Sequence, residues 1–264
     1  MNDNRVNMRV WGDYACFTRP EMKVERVSYP VMTPSAARGI LEAIFWEPQI
    51  HYLVDMIRIV KRGEWFSFRR NEVTNVISFD SVKTWMKEPE KVRHIEAGGG
   101  AKDGTQRNMM ALRDVEYLIT AEIRLTELGQ RAPHGLPKYL DEIRRRLQSG
   151  KCFHRPALGV REFAADFEFI EDVEAEFSAR VKDPFKEDAG LMLYDVFSIA
   201  ERAKGFQWLP DIEEIEISAG KTRAKKDAPR FAGAKATPQA YFFHANIIQS
   251  TLDCHPDRVK FAGA

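Results

Sequence analysis

The chain has 264 residues, of which 44% are hydrophobic, so it can bury a core as one large domain or two small ones. Its 40 lysines and arginines nearly balance 39 aspartates and glutamates, and the net charge of +1 excludes a general attraction to phosphate. A nucleic-acid site must therefore be a local basic patch. The first residues lack the apolar run of a signal peptide and no stretch has membrane-spanning length, so we expect a soluble, cytoplasmic protein.

Cysteine and histidine spacing bears on metals and disulfides. The three cysteines lie far apart and form no CxxC pair, which fits neither a disulfide framework nor a zinc cluster and suggests a reducing cytoplasm. None of the six histidines forms an HxxxH or CxxH spacing. We therefore predict no metal site and no cofactor.

The first part of the chain alternates strand and helix patterns. Thr33 and Pro34 are typical of a helix start, Pro48 requires that helix to end near Trp46, and Gly150 would close a second helix. In chain order we predict a strand over 6–18, a helix from 34 to about 46, a strand over 50–60, an extended hairpin within 61–93, a glycine-rich loop over 97–104, a strand over 115–125, a helix over 136–149 and a strand-rich run over 157–170. This is an α+β fold in the order of a split βαβ unit with an inserted β-hairpin.

The last third of the chain has a different pattern. After about residue 171 no strong helical periodicity recurs, and residues 191–199 and 212–217 are typical of strands. Residues 221–238 are rich in Lys, Arg, Ala, Gly and Pro, which predicts a mobile basic loop. We therefore predict two domains, residues 1–172 and a smaller β-rich domain of residues 173–264 that carries this loop and a carboxyl-terminal tail.

One candidate RNA surface lies in the predicted hairpin, where cations alternate with flat rings. Cations can hold phosphates while aromatic rings stack bases, which is what single-stranded RNA requires. A solvated hairpin over a few core rings would give the same pattern, and this alternative stays open. The residues concerned are Arg58, Lys61, Arg62, Arg69 and Arg70, with Trp65, Phe66 and Phe68.

A second basic cluster covers the predicted second helix and the turn after it. Such a helix could hold a bent RNA backbone and place an acid or base beside it. Asp141 and Glu142 lie among the cations, so an ordinary salt-bridged helix face is an equal alternative. The members are Lys138, Tyr139, Arg144, Arg145, Arg146, Lys151, His154 and Arg155.

Four segments together resemble one known family. The resemblance is to the fifth family of CRISPR-associated proteins in its type I-C (Dvulg) form, a branch of the repeat-associated RNA-binding superfamily. It covers about the first two thirds of the chain. The segments are WGDYACFTRP at 11–20, SAARGILEAIFWEP at 35–48, EAGGG at 96–100 and LGVRE at 158–162.

The resemblance implies a ferredoxin-like, RRM-related domain with an inserted hairpin, followed by a smaller β domain. It also implies metal-independent cleavage of precursor RNA at the base of the repeat hairpin. The protein would then stay on the 5′ handle as a subunit of the interference complex. Its partners would be CRISPR repeat RNA and the other subunits, with contact to DNA left open.

The resemblance also assigns catalytic positions. Family members carry a Tyr, Lys and His set, which corresponds here to Phe45, Lys138 and Tyr139. Phe45 has no hydroxyl, Lys138 keeps the cation, and Tyr139 could replace the histidine as a proton-transfer group. His134 and His154 are nearby alternatives. An endoribonuclease and a non-catalytic RNA-capping subunit therefore both stay open.

Overall fold

The computed structural model describes residues 4–96, 98, 100–210 and 227–262. Its elements up to residue 150 are β1 (Arg5–Ala15), β2 (Arg26–Val27), α1 (Pro34–Ile44), β3 (Ile50–Lys61), β4 (Glu64–Val73), α2 (Phe79–Lys87), a 3-10 turn (Pro89–Lys91), β5 (Gly104–Leu125), α3 (Glu127–Gln130) and α4 (Leu136–Ser149). The later elements are β6 (Asp166–Phe169), α5 (Val173–Arg180), β7 (Glu187–Asp195), α6 (Ile199–Lys204), β8 (Phe206–Pro210), β9 (Asp227–Phe231), β10 (Ala234–Lys235), β11 (Tyr241–Ile248), β12 (Thr251–Asp253) and β13 (Phe261–Ala262).

Ten of the described strands form one sheet, whose main path runs β13-β11-β12-β3-β5-β1-β6. Strands β2 and β4 also pair with β5, and β7 pairs with β11. Every pairing in this sheet is antiparallel except that of β2 with β5. A separate sheet has the order β10-β9-β8. The chain is therefore an α+β protein with one large, mainly antiparallel sheet.

Strand β5 is 22 residues long and joins two regions of different character. Its first half pairs with β4, from Gly104 opposite Val73 to Arg113 opposite Glu64, and mixes exposed with buried positions. Its second half lies between β1 and β3, and residues 115–123 are buried without interruption. Unbroken burial means that the second half is covered on both faces. Strand β4 and the first half of β5 thus extend the sheet beyond the core, with the short β2 paired to the other edge of β5.

Helix α1 begins and ends where the sequence predicts. The Thr33 side chain accepts a hydrogen bond from the Ala36 amide at 3.2 Å, and Pro34 occupies the first turn, where its missing N–H has no role. The buried face consists of Ala37, Ile40, Leu41 and Ile44. The backbone becomes extended at Phe45, whose carbonyl accepts a hydrogen bond from the Tyr52 hydroxyl at 2.7 Å. That bond fixes the end of α1 to β3.

Helix α4 also matches its prediction. Its buried face carries Tyr139, Leu140, Ile143 and Leu147, and it packs on β1, β5, β6 and α1. The helix ends at Gly150, which adopts the left-handed conformation with φ of 66° that glycine accepts without strain. Because α1 and α4 also contact each other, they lie side by side on one face of the sheet.

Several other predictions need correction. The inserted hairpin does not close within 61–93, because β4 pairs with residues 104–113 and α2 lies in the connection. The strand predicted over 115–125 accordingly begins earlier, at Gly104. Two short helices follow residue 171, where the sequence shows no strong helical periodicity: Asp172 caps α5, and Ser198 forms a capping box with Glu201 at α6. These helices are too short to give a clear periodicity.

Three of the predicted segments lie partly or wholly outside the described residues. These are the predicted strand over 212–217, residues 221–226 of the predicted basic loop, and residues 97 and 99 of the glycine-rich loop. Residues 227–231 are not a loop, because they form β9 and pair with β8. The strand predicted over 191–199 is β7, which ends at Asp195.

A buried ion-pair network connects α1 to the later part of the chain. Asp195 on β7 accepts two hydrogen bonds from Arg38, at 2.7 and 3.0 Å, and one from Arg202 on α6 at 3.1 Å. Asp195 is 2% exposed and Arg202 is 8% exposed. Burial alone would raise the pKa of Asp195, but the charges of Arg38 and Arg202 outweigh it and lower that pKa. The carboxylate is therefore held charged between two guanidinium groups.

The large sheet also contains strands from both sides of residue 172. Strand β12 pairs with β3, from Thr251 opposite Arg58 to Asp253 opposite Met56. The main hydrophobic cluster combines residues of the first strands and helices with Met192, Phe243 and Leu252. The predicted division at residue 172 stays a prediction.

Candidate RNA-processing site

The first turn of α4 presents Lys138 to solvent. Lys138 is exposed, its Nζ lies 5.2 Å from the centroid of the Tyr139 ring, and it forms no ion pair among the described residues. The first turn contains no acidic residue and no side-chain cap, so it offers no carboxylate of its own to the positive end of the helix. A free ammonium group at the amino-terminal end of a helix is suited to an anion such as a phosphate.

Tyr139 has a different environment from Lys138. Its side chain is only 1% exposed and belongs to the buried face of α4. Burial raises the pKa of Tyr139, and the nearby charge of Glu47 raises it further. The hydroxyl therefore stays protonated at neutral pH, which suits a proton donor better than a base.

Phe45 lies at the end of α1 beneath a cation of α4. The Arg146 guanidinium is 5.2 Å from the centroid of the Phe45 ring and donates to the Ile44 carbonyl at 3.2 Å. Arg146 also donates to Glu142 at 2.6 Å, and Arg145 pairs with the same carboxylate. Phe45 is 5% exposed. The ring and Arg146 therefore hold α1 against α4, and neither supplies an acid or a base.

The segment after α4 returns to the end of α1. The backbone amides of Phe153 and His154 donate to the Ala43 carbonyl at 3.0 and 2.8 Å. His154 and Arg155 are exposed and form no ion pair in the described part of the chain. The structure thus brings Phe45, Arg146 and His154 to one corner at the last turn of α1.

The predicted hairpin cluster divides between the two faces of β4. Phe66, Phe68 and Arg70 share one face, where the two rings stack with centroids 5.2 Å apart and contact Tyr14 and Phe163. Trp65, which is 45% exposed, and Arg69 lie on the other face. The alternation of side chains along a strand requires this separation. Phe66 and Phe68 pack within the protein, which leaves Trp65 as the exposed ring of the three.

Most cations of this cluster have carboxylate partners. Lys61 lies 2.9 Å from Asp114, Arg62 lies 2.7 Å from Glu187 and Arg70 lies 2.5 Å from Glu162. Arg58 is buried and pairs with Glu174 on α5. Arg69 forms no ion pair within residues 4–96, 98, 100–210 and 227–262. Exposed ion pairs contribute only about 0–1 kcal/mol, so an RNA phosphate can replace the carboxylates of Lys61, Arg62 and Arg70.

A groove of about 1220 Å³ runs along the side of α1 that faces away from the core. His154 and Arg155 line it, as the second basic cluster would require, together with Arg161 and Trp208, which sequence reasoning did not select as site residues. Arg161 belongs to the quoted LGVRE segment, whereas nothing in the sequence connects the distant Trp208 with α1.

Among the described residues, no group of three or more His, Cys, Asp and Glu side chains is placed to hold a metal ion. No helix in that part of the chain is long and apolar enough to cross a membrane.

Comparison with known proteins gives consistent results. A family model described as CRISPR-associated protein (Cas_Cas5) matches residues 6–249. A protein of Mannheimia succiniciproducens named CRISPR pre-crRNA endoribonuclease Cas5d is 43% identical over 197 residues, which cover 73% of this chain and 85% of that protein. A Thermus thermophilus protein of the same name is 45% identical over 163 residues, which cover 62% of this chain and 63% of that protein.

Solved structures support the fold. One described as a CRISPR-associated protein has a TM-score of 0.54 at 19% identity and covers 94% of this chain and 90% of its own. A functionally uncharacterized protein of Streptococcus mutans has the same TM-score and identity, with 97% and 95% covered. At this identity the likeness concerns the fold alone.

Proposed function

Since this chain belongs to the Cas5 family of CRISPR-associated proteins, we propose that it is an endoribonuclease that cuts precursor CRISPR RNA at the repeat hairpin. It then stays on the 5′ handle, in the cytoplasm, as a subunit of the type I-C interference complex. The observation that carries this proposal is 43% and 45% identity to two proteins named CRISPR pre-crRNA endoribonuclease Cas5d. The exposed Lys138 in the first turn of α4 would supply the cation that this reaction needs.

The proposal includes a ferredoxin-like, RRM-related RNA-binding domain. Its support is the element order β1-α1-β3-β5-α4-β6 and the sheet order β6-β1-β5-β3, which follow the split βαβ pattern. Strand β4 and the first half of β5 would be the inserted hairpin. We further propose that residues 173–264 form a smaller β-rich part that packs on this domain.

The proposed reaction is attack by a ribose 2′-oxygen on the adjacent phosphorus. The bond from phosphorus to the 5′-oxygen of the next nucleotide breaks, and a 2′,3′-cyclic phosphate and a 5′-hydroxyl result. A base must take the 2′ proton, a cation must stabilise the charge on the phosphate, and an acid must protonate the leaving oxygen. Lys138 would supply the charge, and the exposed His154 is a candidate for the base. Tyr139 is 1% exposed, so it would donate the proton to the leaving oxygen only if RNA binding uncovers its hydroxyl.

One observation favours a second candidate, a non-catalytic subunit that caps the RNA. Phe45 stands where the family carries a tyrosine, and its ring is buried beneath Arg146. A side chain without a hydroxyl cannot transfer a proton. The RNA-binding surface proposed below would serve such a subunit equally well.

We expect the protein to cut its own repeat RNA in the presence of EDTA, because proton transfer and the charge of Lys138 suffice for attack by the 2′-hydroxyl. The measurement is gel analysis of cleaved repeat RNA, with identification of the new RNA ends. A 2′,3′-cyclic phosphate and a 5′-hydroxyl are the expected ends. Tight binding without cleavage would instead support the capping subunit. Cleavage that EDTA abolishes and magnesium restores, or a 3′-hydroxyl product, would contradict the mechanism.

We also propose that the cations of β3, β4 and the turn between them contact RNA phosphates, and expect their combined replacement by alanine to weaken the salt dependence of binding. Each lost phosphate contact should reduce the slope of log affinity against log salt by about 0.7. The matched control replaces the same number of exposed cations of the α2 region, and should change the slope less. An unchanged slope in the first variant would make this a solvated surface only. The test residues are Lys61, Arg62, Arg69 and Arg70, and the controls are Lys83, Lys87, Lys91 and Arg93.

A further inference from the structure

The connection between β4 and β5 carries a dense group of exposed apolar side chains. Of the 17 large apolar side chains that are exposed in the described part of the chain, seven fall within residues 73–92. Single exposed apolar residues are normal on a protein surface, whereas a concentration of them marks a site of interaction. This connection, which contains α2, is therefore a surface that the fold of the chain itself does not use.

Helix α2 sets three of these side chains in one line, which we call the α2 stripe. Phe79, Val82 and Met86 follow each other at the i, i+3 and i+7 positions, so they lie on one side of the helix. Phe79 is 86% exposed, Met86 is 79% exposed and Val82 is 40% exposed. A helix that lays its apolar side into a groove of another protein uses this spacing for its anchoring residues.

The chain itself gives α2 little support. The helix has nine residues, none of them buried, and it packs on the 3-10 turn that follows it, where Trp85 is half-buried. The Ser78 side chain caps the first turn by accepting a hydrogen bond from the Ser81 amide at 3.1 Å. Helices shorter than about 12–15 residues are marginal in water without packing. A partner that covers the α2 stripe would supply the packing that the helix lacks.

The charges beside the α2 stripe favour an acidic partner. Lys83 and Lys87 are one turn apart on the same flank of the stripe, are exposed, and form no ion pair among the described residues. Glu88 and Lys91 pair with each other. Asp80 lies in the first turn, where the helix dipole favours a carboxylate. An antiparallel pair of two copies of α2 would place lysines beside lysines, whereas a groove edged with carboxylates would complement them.

We propose that the α2 stripe docks into an apolar groove, edged with carboxylates, on another protein subunit of the interference complex. The proposal rests on the role as a subunit argued above, and it names the surface used and the chemistry of its partner. Val82 and Met86 offer no flat ring on which a base could stack, so the stripe suits a protein better than RNA. The flexible thioether of Met86 also adapts to the shape of a groove.

The first test is competition for a place in the complex. Wild-type and variant chains with tags of different length are co-expressed, in excess, with the guide RNA and the other subunits of the same system, and the complex is purified through another subunit. The double variant Phe79→Ser, Met86→Ser should form at most about a tenth of the incorporated chain, because full burial of one such side chain is worth more than a tenfold change in affinity. Thr84→Ala, on the opposite side of α2, should share the complex equally with the wild type.

A second variant tests the charges of the partner. Lys83→Glu combined with Lys87→Glu should exclude the chain from the complex more strongly than the two alanine substitutions do, because it sets carboxylates against carboxylates. Replacement of Val82 by the photo-crosslinker p-benzoylphenylalanine should join the chain to one protein subunit of the assembled complex. That crosslink identifies the groove directly.

Two measurements separate docking from general damage. The double variant Phe79→Ser, Met86→Ser should keep the wild-type affinity for repeat RNA and the wild-type free energy of unfolding in urea, because both side chains are exposed in the isolated chain. Loss from the complex with both of these unchanged is the expected result.

Four outcomes would overturn the docking proposal. They are entry of the double variant into the complex as readily as the wild type, weaker binding of repeat RNA by that variant, a crosslink from position 82 to RNA, and a crosslink to a second copy of the chain. If the wild-type chain itself joins no complex, the proposed role as a subunit has failed and the docking proposal fails with it. The behaviour of the variants in a complex that does assemble concerns the docking proposal alone.

Discussion

The Lys138→Ala variant is expected to cut a repeat hairpin about a hundredfold to a thousandfold more slowly than the wild-type protein, while binding it with similar affinity. That scale is typical for the loss of one group that stabilises charge in a transition state. Lys138 is exposed and unpaired in the described part of the chain, so its ammonium group is available to a phosphate. The attraction between this ammonium group and the phosphate grows as negative charge develops on the phosphate in the transition state. The substitution should therefore lower the cleavage rate rather than the affinity for RNA.

The measurement is single-turnover cleavage at saturating protein, with affinity determined separately on RNA that carries a 2′-deoxy nucleotide at the cleavage position. Lys83→Ala removes an exposed lysine of α2, outside the proposed site, and should cut at close to the wild-type rate. Tyr139→Phe should be slower too, because its protonated hydroxyl is the proposed donor to the leaving oxygen. If Lys138→Ala and Tyr139→Phe both cut at the wild-type rate, these residues are not catalytic, and His134 and His154 become the candidates.

We expect Asp195→Ala to lower the free energy of unfolding by about 3–5 kcal/mol, the range measured when one partner of a buried ion pair is removed. Asp195 accepts hydrogen bonds from Arg38 and Arg202, and its loss leaves Glu42 as the one carboxylate paired with these two largely buried guanidinium groups among the described residues. Because the pKa of Asp195 is lowered in the folded protein, its contribution is present at neutral pH. It is lost as the pH falls below the carboxylate's unfolded pKa of about 4.

Urea denaturation at neutral pH measures this effect. Asp183→Ala is the matched control, since Asp183 is exposed and has no ion pair among the described residues, and its free energy of unfolding should change by less than about 0.5 kcal/mol. A change below about 1 kcal/mol in Asp195→Ala would mean that the network does not hold β7 and α6 to α1.

Local signals predicted α1 and α4 well. Thr33, Pro34 and Gly150 act on their own helix ends, so their effect can be inferred without knowing the rest of the fold. The network around Asp195 could not be inferred, because Arg38 and Asp195 are 157 positions apart and nothing in either segment indicates the other. Long-range pairing depends on the tertiary fold, which periodicity alone does not determine.

In the candidate site too, the sequence predicted local features but not how side chains are placed by the fold. The sequence identified the cations of β4, but counting them as one cluster ignored that alternate side chains of a strand lie on opposite faces. Phe66 and Phe68 therefore pack with Tyr14 and Phe163, while Arg69 lies on the other face. Lys138 and Tyr139 are adjacent in sequence, yet one is exposed and the other buried, as consecutive positions of an amphipathic helix require.

The pairing of β12 with β3 has a consequence for synthesis on the ribosome. Residues 56–58 emerge early, but their partners at 251–253 are made about 190 residues later. At a synthesis rate of about 5–20 residues per second, that edge of the nascent sheet stays open for about 10–40 s. Its unpaired amides and carbonyls can meanwhile join strands of other nascent chains, so a newly made molecule is most prone to aggregate before its last strands arrive.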